Sequence, residues 1–235
     1  MDQKFNYAHD TNWRIFRIMA EFVEGFTFLS QFDQTVTFFG SAVFPQDNPY
    51  CIAARELANR LATDGYTVIT GGGPGIMEAA NHGAYEANGE SVGINIQIPT
   101  EQRTNPWVKK SEAFNYFYTR KVMMAFSAQA YIYFPGGFGT LDELFELLNL
   151  EKTKKIEQQI PIILYGSDFW QPLVEWMHRS LAQHHQTLTE TDLKLLDLVD
   201  TIEDAYQIIK SVGPRTIHPF SVNDQYSHND LKHTQ

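Results

Sequence analysis

The chain has 235 residues, enough for one α/β domain with a well-buried core, and its 43% hydrophobic and 20% charged content is that of a folded globular protein rather than a disordered one. A formal net charge of −10 excludes a general electrostatic attraction to DNA, RNA or anionic lipid, so any phosphate must be held by a few aimed donors. The single cysteine, Cys51, excludes an internal disulfide and has no zinc-site neighbours.

Residues 11–30 place Trp13, Ile15, Phe16, Ile18, Met19 and Phe22 at mixed three-and-four spacing. That predicts a helix with a broad apolar face, packed outside the main fold or against a partner chain. The segment Met1 to Asn12 lacks the apolar stretch of a signal peptide, and no apolar run is long enough to span a membrane. The expected location is the cytoplasm. From residue 35 the pattern changes: TVTFFG is a short β-rich run ending in Gly40-Ser41-Ala42, and residues 50–63 are helical until Gly65. Cys51 falls in that helical pattern and reads as a small core residue. Residues 66–70 read as a buried strand running into Gly71-Gly72-Gly73-Pro74-Gly75, with a helix from about Ile76. Further strands are expected at 91–98, 114–118 (FNYFY), 131–134 and 161–166. Helices follow most of them, and Asp168 is the expected cap of a helix through Trp176.

Strands alternating with helices predict an α/β, three-layer fold: a mostly parallel sheet flanked by helices on both faces. The boundaries expected are a helical extension over 1–32, a Rossmann-like α/β domain over 33–212 and a polar, loosely packed tail over 213–235. Phe38, Phe39, Tyr131, Tyr133 and Phe134 lie on buried strands and read as core rather than as stacking platforms for nucleic acid.

Two glycine-rich turns, Gly71–Gly75 and Gly136-Gly137-Phe138-Gly139, fall where strands end and helices begin. A helix start offers unpaired N–H groups and a partial positive charge, and glycine lets backbone approach a phosphate. Neither turn has the G-x-G-x-x-G frame, and there is no G-K-[ST]. A monophosphate therefore fits better than a dinucleotide or a triphosphate. The eight histidines show no metal-ligand spacing, and no metal is expected.

Three charged positions stand out. Thr140-Leu141-Asp142-Glu143 matches a capping box, with Thr140 at the N-cap and Glu143 at N3, and Leu141, Leu144, Phe145 and Leu148 as the buried face. Glu143 would then sit near the mouth of the glycine turn, a position that serves either capping or catalysis. Arg120 and Lys121 start a predicted helix, where cations oppose the dipole. That suggests an anionic partner, a carboxylate or a ligand, against the plainer reading of a solvated helix start. Glu78, in the first turn after Pro74-Gly75, suits the dipole. Ala79, Ala80, Gly83 and Ala84 are small enough for close helix–sheet packing.

Together, Gly71 to Asn81, Arg120-Lys121 and the run Pro135-Gly136-Gly137-Phe138-Gly139-Thr140-Leu141-Asp142-Glu143 resemble the LONELY GUY family of cytokinin riboside 5′-monophosphate phosphoribohydrolases. The resemblance runs from about Thr35 to Gly166. It implies a Rossmann-like fold, and hydrolysis of a nucleoside 5′-monophosphate to free base and ribose 5-phosphate without a metal or redox cofactor. It also implies a homodimer or larger homo-oligomer. Carried onto this sequence, it implies Arg120 and Glu143 as the catalytic pair. Gly136, Gly137, Gly139 and Thr140 would hold the phosphate, while Gly72, Gly73, Glu78 and Lys121 would line the nucleotide site. Met77-Glu78-Ala79 departs from members with a glycine after the methionine. With the added N-terminal helix and polar tail, it points to a bacterial branch whose substrate extends to AMP or another common nucleotide. The label "lysine decarboxylase" attached to such proteins does not fit the chemistry of the sequence, which suggests no pyridoxal-binding pocket. The alternative reading is a non-catalytic nucleotide sensor or carrier on the same fold.

Overall fold

The structure, a computed structural model, describes residues 11–97, 104–156 and 160–212. Short runs rich in β-branched and aromatic residues form the five interior strands, as their fit to a pleated, buried surface requires, and the two edge strands carry charge. The strands are β1 (Thr35–Phe39), β2 (Thr67–Thr70), β3 (Ser91–Ile96), β4 (Lys110–Phe114), β5 (Ala130–Tyr133), β6 (Ile162–Tyr165) and β7 (Leu196–Val199). All pair in parallel in the order β4-β3-β2-β1-β5-β6-β7. Val36 of β1 stands opposite Val68 of β2 on one side and Ala130 of β5 on the other. The α-helices are α1 (Thr11–Leu29), α2 (Pro49–Thr63), α3 (Ile76–Glu86), α4 (Phe117–Ala125), α5 (Phe138–Lys152), α6 (Ser167–Trp176), α7 (Glu190–Leu193) and α8 (Ile202–Ser211), and α6 runs on into a π-helical segment, Met177–His184. The expected three-layer α/β fold is the one observed.

The side-chain alternation of the strands divides the core in two. Val36, Phe38, Ile132 and Phe134 pack under α2, α3 and α8, whereas Phe39, Tyr131 and Tyr133 pack under α1, α4, α5 and α6. Cys51 is buried in the first of these layers, as expected, and His184 and His185 are exposed. No helix among the described residues is long and apolar enough to cross a membrane.

Three local expectations are corrected, and one strand went unforeseen. The aromatic run FNYFY is not a strand: β4 is the preceding segment, Lys110–Phe114, and α4 begins at Phe117. Aromatics there signalled burial, yet Phe117 and Tyr118 are exposed. The strand β7 went unforeseen because its edge position leaves Asp197 exposed within a short segment. Asp168 is not a cap. Gly166 holds that position, and Asp168 lies in the first turn of α6, accepting a hydrogen bond from the Tyr50 hydroxyl. Gly83 serves helix–helix contact rather than helix–sheet contact. A Cβ there would lie 2.0 Å from the Arg55 carbonyl oxygen of α2. Gly83→Ala is therefore expected to destabilise the chain by about 1–3 kcal/mol through overpacking against backbone, read as a lower urea midpoint at unchanged slope. The expected tail over 213–235 lies outside the described residues.

The helix α1 lies against α4 and β4. Leu29 and Phe32 enter the core, while Trp13, Phe16, Met19 and Val23 form an exposed apolar stripe on the outer side.

Candidate active site

The direction in which the chain adds strands reverses at β1, with β2 on one side and β5 on the other. Loops leaving adjacent strands then diverge, and a crevice opens outside their carboxyl ends. A cavity of about 400 Å³ occupies that place. Its wall combines four separate segments: Gly40, Ser41 and Ala42 after β1, Gly71 after β2, Arg120 of α4, and the stretch from Gly137 to Glu143 after β5. Phe39, Met77, Ile96 and Phe117 make the rest largely apolar.

The turns are welded to each other. Ser41 donates its amide to the Pro135 carbonyl at 2.9 Å and accepts from the Ile76 amide at 3.0 Å. Gly75, with φ +70°, brings its Cα so close that a Cβ would lie 2.2 Å from the Ser41 carbonyl oxygen. The first amide of α3 is thereby consumed by protein. At α5 the situation differs. Gly137 is the N-cap and contributes no side chain, so the amides of Phe138, Gly139 and Thr140 at the first turn lack intrahelical acceptors. Gly139 and Thr140 line the cavity, which gives it a donor array suited to an anion.

This placement also decides whether Glu143 takes part in a cap. Because α5 starts at Phe138, Thr140 is already inside the helix and the expected capping box does not form. The buried face of α5 is Thr140, Glu143, Leu144 and Leu147, whereas Phe145 is exposed. Glu143 therefore turns inward, only 6% exposed, and accepts a hydrogen bond from Arg120 Nη1 at 2.7 Å. Arg120 is the fourth residue of α4, further into the helix than expected, and its Nε donates to the Ile94 carbonyl at 3.3 Å. A Cβ on Gly71 would lie 2.6 Å from its guanidinium, so a side chain there would displace it. The anionic partner anticipated for Arg120 is thus a carboxylate.

Burial pushes the Glu143 carboxyl up to about 7, with Arg120 opposing the shift. Burial likewise lowers the Arg120 guanidinium, against the raising influence of Glu143 and Asp142. An acid whose proton is nearly balanced at neutral pH is the ordinary instrument of proton transfer in a cavity.

The other expected site residues are distributed unevenly. Gly137, Gly139 and Thr140 border the cavity with Arg120 and Glu143. Gly136 stands behind it, packed so tightly that a Cβ would meet Thr140 Oγ1 at 2.2 Å. Lys121 is turned to the outside of the α4–α5 contact, paired with Asp142 at 2.7 Å and Glu146 at 3.2 Å. Gly72 and Gly73 face away: their carbonyls accept from the Asn105 amide and side chain at 2.8 and 3.0 Å. Glu78 is half-buried on α3 and does not border the cavity, where Gly71 and Met77 stand instead. Ser41 and its neighbours carried no role in the sequence reading. Their position after the strand at the order reversal was the signal. Among the described residues no cluster of three or more His, Cys, Asp or Glu side chains is placed to hold a metal ion.

Comparison with known proteins adds the family. The family model described as "Possible lysine decarboxylase" matches residues 77–209. The chain is similar to a cytokinin riboside 5′-monophosphate phosphoribohydrolase of Oryza sativa subsp. japonica, 28% identical over 66% of this chain and 64% of that protein. It is also similar to a pyrimidine/purine nucleotide 5′-monophosphate nucleosidase of Escherichia coli, 28% identical over 78% of this chain and 42% of that one. The chain spans less than two thirds of the length of these curated relatives. Among solved structures, a molybdenum cofactor carrier protein of Chlamydomonas reinhardtii superposes with a TM-score of 0.56. It is 21% identical and covers 76% of this chain and 97% of its own, a likeness of fold alone.

Proposed function

The chain belongs to the family described as possible lysine decarboxylases, and from that membership we propose that it hydrolyses the N-glycosidic bond of a nucleoside 5′-monophosphate, releasing free base and ribose 5-phosphate. The observation that carries this reading is the Arg120–Glu143 pair, buried in a cavity at the strand-order reversal beside the open helix start of α5. The curated relatives named as a phosphoribohydrolase and a nucleotide nucleosidase support the reaction class.

In this proposal the α5 amides of Phe138 to Thr140, with the Thr140 hydroxyl, hold the phosphate. The apolar wall of Phe39, Met77, Ile96 and Phe117 receives the base. Anchoring the phosphate fixes the ribose while the base leaves, so binding energy remote from the scissile bond is spent on orientation. As the C1′–N bond breaks, its electron pair departs with the base nitrogen and the ribose becomes oxocarbenium-like. The Glu143 carboxylate stabilises that charge and takes a proton from the water whose oxygen bonds to C1′; that proton then passes to the base nitrogen, so the base leaves neutral and Glu143 returns to its carboxylate form. Arg120 holds Glu143 in place before substrate arrives and then binds the ribose or phosphate. Lys121, committed to Asp142 and Glu146, stays outside.

The test is incubation of the purified protein with AMP, GMP, CMP, UMP, IMP and isopentenyladenosine monophosphate, with free bases resolved by chromatography. Base release that ranks these substrates supports the proposal. Tight nucleotide binding by calorimetry without release moves the function to a sensor or carrier, and neither result removes the nucleotide from the account. A pH profile refines it. Glu143 acts as a carboxylate, and burial lifts its pKa to about 7. Hence kcat/KM should rise with pH through a midpoint near 7 rather than near the 4.5 of an ordinary glutamate. A flat profile from pH 5 to 8 would remove Glu143 from the proton-transfer step.

A further inference from the structure

The helix that carries Arg120 has no side-chain cap of its own. Tyr116 occupies its N-cap position and contributes only backbone. The cap comes from elsewhere in the chain. Glu21, on α1 and 7% exposed, reaches the start of α4 with both carboxylate oxygens. Its Oε1 accepts from the Asn115 amide at 2.9 Å and the Asn115 side-chain Nδ2 at 3.0 Å. Its Oε2 accepts from the Tyr116 amide at 3.4 Å and lies within hydrogen-bonding reach of the Thr119 hydroxyl. One turn along α1, Gly25 abuts Met123, itself one turn beyond Thr119. A Cβ on Gly25 would lie 2.5 Å from the Met123 sulfur. The two helices therefore meet at matching one-turn intervals, with a buried carboxylate at one contact and a close approach at the next.

We propose that Glu21 is the positioning residue for Arg120: it fixes the start of α4 and so sets the distance at which the guanidinium meets Glu143. Two physical effects act together. The carboxylate ties down the amides of Asn115 and Tyr116, the two residues that lead into the helix, and its charge sits at the positive end of the helix dipole. It also supplies nearby negative charge to a helix start that carries Arg120 and Lys121, cations the dipole alone disfavours. A shift of about 1 Å in such a side chain is enough to cost a catalytic pair much of its effectiveness. The geometry gives the N-terminal helix a part in the chemistry without any contact with the cavity.

The proposal rests on the hydrolase reading only for its kinetic readout, and its main test is independent of activity. Glu143 is faced by Arg120 and Lys121 from α4, by Asp142 and Glu146 on its own helix, and by the Tyr133 hydroxyl of β5, which donates to its carbonyl. Arg120 is the group that chiefly holds its proton affinity down. In the full chain labelled with ¹³C at glutamate carboxyls, the Glu143 titration is followed by NMR in the wild type and in Glu21→Gln. Release of Arg120 should move that midpoint upward by about half a pH unit or more, and kcat for nucleotide hydrolysis should fall about tenfold with KM changed less than about threefold. A general loss of stability would lower the folded fraction without moving the midpoint. An unmoved midpoint or an unchanged kcat in the folded variant overturns the proposal. A moved midpoint in a protein whose wild type releases no base upholds the positioning role and sinks the hydrolase reading instead. Should Glu21→Gln fail to fold, Glu21→Asp keeps the charge but withdraws it by one methylene, and the same comparison decides on that variant.

Discussion

Glu143→Gln should lower base release by about 10³-fold while leaving the protein folded. The amide keeps the shape of the carboxylate and can still accept from Arg120, so the α4–α5 contact survives. It can neither accept a proton from water nor offset an oxocarbenium charge. Stability carries a second signature. Folded Glu143 titrates at about 7 and its unfolded reference at 4.5, so the folded chain holds the extra proton between those values. The favourable contribution of the protonated group is complete below the unfolded value and is lost as pH rises through 7, an amount on the order of 3 kcal/mol. The wild type should therefore lose stability from pH 5 to 8, and Glu143→Gln should flatten that slope. Denaturant titrations at several pH values check it. Near-normal turnover, or an unchanged slope, would mean that Glu143 neither reacts nor titrates as described.

Arg120→Ala should lose activity to a similar extent, about 10³-fold, for a different reason. Removing the guanidinium takes away the charge that keeps Glu143 from rising further. The carboxyl then stays protonated at neutral pH, and any surviving kcat/KM should reach its midpoint above 7. Arg120→Lys should cost about 10²-fold rather than being tolerated. A lysine has one nitrogen, whereas the guanidinium donates to the Ile94 carbonyl through Nε and to Glu143 through Nη1. Steady-state kinetics over pH 5–9 on the two variants separates these effects. Survival of the lysine variant at wild-type rate would argue that Arg120 serves only as a local charge.

β1, β2, β5 and β6 were legible because each is a short, largely apolar run followed within a few residues by glycine, as strands buried on both faces of a parallel sheet are, and β3 was legible from its apolar content alone. The edges were not. The sequence KSEAF of β4 carries charge because an edge strand is half exposed, while the neighbouring aromatics of FNYFY drew the strand reading toward themselves. Residue types at the site were legible too: Arg120, Glu143 and the second glycine turn do converge. What spacing could not give was phase. A three-residue difference in the start of α5 turns Thr140-to-Glu143 from a cap into a buried face. One residue's difference at the first turn puts Gly71 rather than Gly72 or Gly73 on the cavity wall. Glu21 was illegible for a simpler reason. Its partners, Asn115 and Tyr116 just before α4 and Thr119 in its first turn, are distant in sequence, and only tertiary packing reveals the cap.

The central place of β1 also bears on how the protein is made. Synthesis delivers β1 first among the strands, and β2 can cover one of its edges soon afterward. Its other edge waits for β5; Thr37 and Ser127, which hydrogen-bond at 2.7 Å beside that seam, are 90 residues apart. Until the later segment emerges, a nascent chain presents an open ladder flanked by Val36 and Phe38, the kind of edge that recruits other chains. The crevice at the order reversal cannot exist in that interval, since one of its two walls has not been translated. Nucleotide binding at the proposed site would therefore be a property of the finished sheet, and ligand present during synthesis could reward only the last step of its assembly.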